Sequence, residues 1–175
     1  MANQRSNQYG FLNTPPTKVT PYAVAGRTRR KIATFAAVDA AQNDICVLAR
    51  FKATDIILSA ELVNDALGAS VTGDLGAYQA GDWVAGDKAL VAGTAEDRFA
   101  TAVDMNTARE QPAPLQIWNE SATLTPALSY SPLWEQCALA TEPAPGTEYD
   151  IALKLEGANP AAGNFKVVFT YLAGD

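Results

Sequence analysis

Between Asp55 and Val63 the side chains of Ile56, Leu58, Ala60 and Leu62 fall on one side of an extended chain, and Asp55, Ile57, Ser59, Glu61 and Val63 on the other. That period of two predicts a half-buried β-strand. The same alternation sets Ile32, Thr34, Ala36 and Val38 against Lys31, Ala33, Phe35 and Ala37, and a further strand is expected over Ile45 to Phe51. Near the C-terminus Ile151, Leu153 and Leu155 alternate with polar and small neighbours, as do Phe165, Val167, Phe169 and Tyr171. The intervening GANPAAGN holds two glycines, two asparagines and a proline, a composition that predicts an antiparallel hairpin with a long loop. Pro114 to Asn119 and Ala127 to Ala140 supply weaker strand candidates, and Pro126 and Pro132 confine the latter to edges or bulges.

Helical spacing is confined to one place. Thr94 followed by Asp97 resembles a capping box, and Phe99, Ala102 and Val103 share a helical face, which predicts one helix of two or three turns there. The first 21 residues are rich in Asn, Gln, Thr and Pro without sustained period, and are expected to form an extended arm anchored by Tyr9, Phe11 and Leu12, ahead of a single domain over residues 22–175. Many short strands with recurrent turn signals and almost no helix predict an all-β fold, a β-sandwich or jelly roll whose inner faces pack together. No internal repeat of fixed period is visible.

Composition narrows the function. The 175 residues suffice for one core without metal or disulfide staples. Only 18% are charged, below the roughly 25% of an ordinary globular protein, which is expected of a surface partly covered by partners. A net charge of −6 disfavours nucleic acid as a partner. No apolar run approaches the length of a membrane span, and no signal peptide is evident at the start, so synthesis and residence in a cytoplasm are expected. One basic cluster, Arg27, Arg29, Arg30 and Lys31, precedes an apolar strand; it either meets an acidic neighbour or faces water.

The chain contains no histidine, which removes Ser-His-Asp and Cys-His catalysis and the histidine metal cages of jelly-roll enzymes. No phosphate-binding glycine loop follows any strand. Cys46 and Cys137 lack metal-ligand or redox spacing and read as small buried hydrophobes. Asp74, Asp82, Asp87, Glu96 and Asp97 are the one acidic concentration; they either ligate calcium without an EF-hand pattern or serve as turn residues and caps. We therefore expect no catalytic residue, no resident metal and no cofactor. Trp83, flanked by glycines in YQAGDWVAGD, is the aromatic expected to protrude. Trp118 and Trp134 are expected in the core, although with Tyr78 and Tyr130 they also suit a sugar-stacking platform.

The order RRKIATFAAV, AAQNDICVLARF, DIILSAELVNDALGASVTGDLGAY and EDRFATAVDM, spanning Arg29 to Met105, resembles small structural proteins of tailed bacteriophages, often encoded beside the major capsid protein. NDALGASVTGDLG with the acidic segment after it is the most specific part. The resemblance implies a decoration or cement protein of sandwich or jelly-roll fold on the capsid exterior, with the major capsid protein as partner and a homo-oligomer, commonly a trimer, as its assembly. Contacts to the capsid or between subunits are then expected at Tyr9, Phe11, Leu12, Arg27, Arg29, Arg30 and Lys31. Alternative readings are another virion component, such as a head fibre base, tail tube or adaptor, and a carbohydrate- or receptor-binding module using Trp83.

Overall fold

The computed structural model describes residues 28–37, 40–81, 89–110, 113–118, 128 and 130–174. In chain order the elements are β1 (Thr28–Ala36), β2 (Ile45–Lys52), β3 (Ile56–Asn64), β4 (Thr72–Gln79), β5 (Ala100–Asp104), β6 (Leu115–Gln116), α1 (Leu133–Gln136), β7 (Glu148–Glu156) and β8 (Asn164–Leu172). They form two four-stranded antiparallel sheets, ordered β1-β8-β3-β6 and β2-β7-β4-β5. First pairs with last, second with seventh, third with sixth and fourth with fifth, which is the order made by rolling up one long antiparallel ribbon. The all-β sandwich read from the sequence is therefore present, and its strand order is that of a jelly roll.

The inner faces meet in one core. On β8 the side chains of Phe165, Val167, Phe169 and Tyr171 are buried, whereas Lys166, Val168 and Thr170 are only half-buried, as period two requires. Phe51 of β2 stands edge-on to Phe169 and Tyr171, with ring centroids 5.3 and 5.1 Å away, and so ties the two sheets together. At the β5/β6 side, Phe99 stacks on Trp118 at 4.2 Å. Cys46 and Cys137 are free and buried, as expected, and burial pushes both thiols up to about 12.

Among the described residues three register shifts interrupt the ladders, one of them between Gly73 and Leu75 where β4 meets β5. The others lie between Val47 and Ala49 on β2 and between Ile57 and Ser59 on β3. Past the β3 bulge, Ala60 and Leu62 face the core as expected, but Ile57 joins them instead of lying opposite. On β1 the expected pairing of faces holds, with Ala33 and Phe35 packed towards the core and Ile32, Thr34 and Ala36 exposed.

Three expectations are corrected. Residues 94–103 are not helical: Thr94 spends its hydroxyl on the carbonyl of Val91 at 2.7 Å, Asp97 accepts from the Thr101 hydroxyl, and the chain turns into β5. The short helix is α1, within the stretch expected to supply strands; it starts after Pro132, and its first two N–H groups donate to the carbonyls of Asp55 and Ala53. Finally, β7 and β8 are not a hairpin. They belong to opposite sheets, and the loop between them crosses the end of the sandwich, with Ala161 N–H donating to Leu67 O and Ala37 N–H to Gly163 O. Gly157 makes the crossing possible, with φ +79° and a position where a Cβ would overlap the carbonyl oxygen of Ser70.

Candidate interaction surfaces

The outer faces of the two sheets differ. On the β1-β8-β3-β6 sheet, strand register aligns Ile32 with Val168 and Glu61, Thr34 with Lys166 and Val63, and Arg30 with Thr170. None of these residues is buried, and Ile32 is 66% exposed. β1 is at the edge there, and among the described residues one side of its backbone has no strand partner.

The outer face of the other sheet is covered over β4 and the middle of β7, while Val47 of β2 stays 38% exposed. After β4 the chain runs back beside it, with Gln79 N–H donating to Ala89 O and Val91 N–H to Ala77 O, then leaves over 92–98 and returns where Phe99 N–H donates to Leu75 O. The excursion forms a flap. It presses the Glu96 carbonyl against β4 where only Gly76 leaves room, because a Cβ there would overlap it. Under and beside the flap, Tyr78, Asp150 and Ala152 are buried. Asp150 is held by a bidentate contact with Arg50, at 2.7 Å from Nε and 3.1 Å from Nη2, and that guanidinium also reaches Gly81 O.

Charge concentrates at the flap. Lys154 of β7 pairs with Glu96 and Glu156, both at 2.8 Å, and these hydrogen bonds, Glu156 first, hold its ammonium well above the usual lysine range. Asp74 lies opposite Lys154 on β4 and accepts from Ala102 N–H at 2.7 Å, where Ala102 takes φ +49°. Burial raises the Asp74 carboxyl, with Glu156, Asp97 and Glu96 adding to the rise against that hydrogen bond. Burial likewise pushes the Tyr78 phenol up to about 12, and its hydroxyl has no hydrogen-bond partner. Asp82 and Asp87, the other members of the acidic segment, lie outside the described residues. Among the described residues no three acidic or cysteine side chains are grouped to hold a metal ion.

The basic cluster is divided by burial along β1, whose pleat puts Arg29 on the same side as Lys31 and Arg30 on the other. Arg29 and Arg30 are exposed. Lys31 instead turns inward, donating from Nζ to the Arg50 carbonyl and lying 4.3 Å from the Phe51 ring centroid. Desolvation lowers its pKa, against the pull of Asp55 and Glu148. Alternation set Lys31 beside Ala33 and Phe35 without saying which side faces inward, and nothing in the sequence marked the aromatic rings that receive the charge. Tyr9, Phe11, Leu12, Arg27 and Trp83 lie outside the described residues.

The aromatic platform is dispersed. Tyr78 and Trp118 are buried, Trp134 is half-buried against the core, and Tyr130 is 75% exposed. One open cleft of about 220 Å³ lies where β3 and β8 meet residues 109–110, and Asp65, Glu110, Arg109 and Lys166 are among the residues that line it. Arg109 is engaged with Asp104 at 3.1 Å, and the Asn64 amide nitrogen donates to the carbonyls of Asp65, Met105 and Thr107. The cleft is thus a seam of mixed charge braced by its own residues. Among the described residues no helix is long and apolar enough to cross a membrane.

Two solved structures share the fold. A chain of the cyanophage Pam1 capsid asymmetric unit is 16% identical with a TM-score of 0.52, covering 99% of each chain. A chain of the capsid of Ralstonia phage GP4 is 14% identical with a TM-score of 0.57, covering 90% of this chain and 92% of that one. At these identities the likeness is one of fold, extending over nearly the whole length of all three chains. No family model and no curated protein matches the sequence.

Proposed function

We propose that this protein is a non-enzymatic virion component that binds the outside of a phage capsid as a decoration or cement protein and stabilises the junctions between capsid subunits. The observation that carries this reading is the jelly roll shared, nearly end to end, with chains from two phage capsid particles. The open outer face of the first sheet supports it, since a face with exposed Ile32 beside threonines and valines suits contact with another protein more than contact with a small substrate. A protein bridging several shell subunits stabilises them by binding linkage, and many weak copies act together. In this reading the major capsid protein is the partner, the working form is a homo-oligomer with a trimer favoured, and Tyr9, Phe11 and Leu12 reach a neighbouring subunit.

Co-sedimentation with matching capsids that lack the protein tests this, with capsid melting recorded alongside. Saturable binding at a fixed ratio to shell subunits, with a raised capsid melting temperature, is the expected result. Failure to bind intact capsids moves the protein to a tail, neck or fibre position or to host-surface recognition. Removing the first 20 residues should weaken capsid binding while leaving the sandwich folded, and undiminished binding by the truncated protein rules out the arm as an anchor.

A further inference from the structure

Charge is segregated along this chain to a degree that the net value of −6 conceals. Six of the 13 lysines and arginines precede Asp39, the first of the 19 acidic residues, so from there onward seven cations face all 19 carboxylates. The fold puts the two ends of that gradient on different sheets. Arg29 and Arg30 stand exposed at the start of the edge strand β1, two residues from the exposed Ile32, and neither has an ion pair among the described residues, whereas Arg50, Arg109 and Lys154 each reach a carboxylate. On the outer face of the other sheet, Glu96 and Glu156 pair with Lys154, and Asp74, across the strand from it, feels the charges of Glu156, Asp97 and Glu96. Beside them Tyr78, 1% exposed and on the same face of β4 as Asp74, keeps a hydroxyl with no partner.

We propose that the start of β1, with Arg29, Arg30 and Ile32, docks on the acidic flap surface at Asp74, Glu96, Asp97 and Glu156 of a second copy of this chain, joining copies head to tail. The occupant follows from complementarity: the basic, apolar-tipped edge needs an acidic surface, and around Lys154 the carboxylates outnumber the cations, with Arg98 of the flap donating to the Gln136 carbonyl. Because the two surfaces are different patches, the contact is heterologous, and repetition closes a ring when the rotation between copies allows it. The interaction deepens the self-association part of the function proposed above and does not depend on what the oligomer binds. Screening by salt opposes it, as for any contact between exposed charges.

The test is sedimentation equilibrium of the full chain at low and high salt, with melting curves as a control for folding. Wild type should self-associate, more weakly in 0.5 M salt, and R29E/R30E should raise the dissociation constant at least about tenfold without lowering the melting temperature. Adding D97K/E156K to R29E/R30E in the same chain should restore association. An I32S variant, which leaves every charge in place, should weaken it to a lesser degree. An oligomer indifferent to R29E/R30E overturns these surfaces while leaving self-association intact. A wild type that stays monomeric at all concentrations overturns both, and leaves capsid binding to be judged by the co-sedimentation experiment.

Discussion

The two sheets of this sandwich have similar inner faces and dissimilar outer ones. The β1-β8-β3-β6 sheet shows its outer residues, Ile32, Thr34, Val168 and Thr170 among them, to the surroundings. The β2-β7-β4-β5 sheet buries Tyr78, Asp150 and Ala152 on its outer side beneath its own connecting chain. One sheet carries part of its own connecting chain on its outer side, and the other shows its outer residues. Burial follows this difference: Tyr149 to Leu153 of β7 and Leu75 to Tyr78 of β4 are buried on both sides of the strand, whereas β8 alternates between buried and more accessible residues.

Substitutions on the outer faces sharpen this comparison. The largest effect is expected at Gly76, where valine has to displace the Glu96 carbonyl and should cost about 3 kcal/mol in urea unfolding, while T170I on the open face should change stability by less than about 0.5 kcal/mol. Equal costs at the two sites would erase the distinction between a covered and an open face. Next is K154M, which leaves Glu96, Glu156 and Asp74 without their shared cation and should lower stability by about 1 kcal/mol, less so in high salt.

A smaller effect, with a pH signature, is expected at Asp74. Its carboxyl is raised in the folded state, so its protonated form favours folding below the unfolded value of about 4, and that advantage is lost as pH rises through the folded value. D74N keeps an acceptor for Ala102 N–H and removes the charge. It should stabilise the protein by a few tenths of a kcal/mol at pH 7 and not at pH 3, as read from melting curves at the two pH values. A gain equal at both would mean that the charge of Asp74, disfavoured by burial and then by Glu156, Asp97 and Glu96, is not its source. Smallest is I32S, expected to leave the melting temperature of dilute protein within a degree or two, since a residue already 66% exposed has little burial to lose.

Much of the strand content was legible because alternation survives wherever one face is open, as in Phe165 to Tyr171. Partner choice was not. GANPAAGN has the composition of a hairpin loop, and nothing local distinguishes it from a crossing between sheets; only the long-range pairing of β8 with β1 and β3 decides. Thr94 to Val103 misled for a different reason. Phe99 and Val103 are four apart, which suits one face of a helix and also one face of a strand, and here Phe99 N–H bonds to Leu75 while Ala102 takes a left-handed turn beside Asp74. A four-residue helix such as α1 is too short to show a period at all. Of the contact residues expected, Arg29 and Arg30 are exposed as a surface role requires, whereas the engagement of Lys31 with Phe51 and the Arg50 carbonyl depends on residues about twenty positions away.

The rolled pairing also governs when this molecule can come into being. β8 lies between β1 and β3 and holds them in one sheet, and it is the last of the eight strands to leave a ribosome. Until it emerges, β1 has no strand to pair with, and β3 has only the two residues of β6. Folding of such a high-contact-order topology is slow, so β1 acquires its ordered edge only once β8 has been made and has paired with it. Any contact that needs that edge is thereby deferred until β8 is in place.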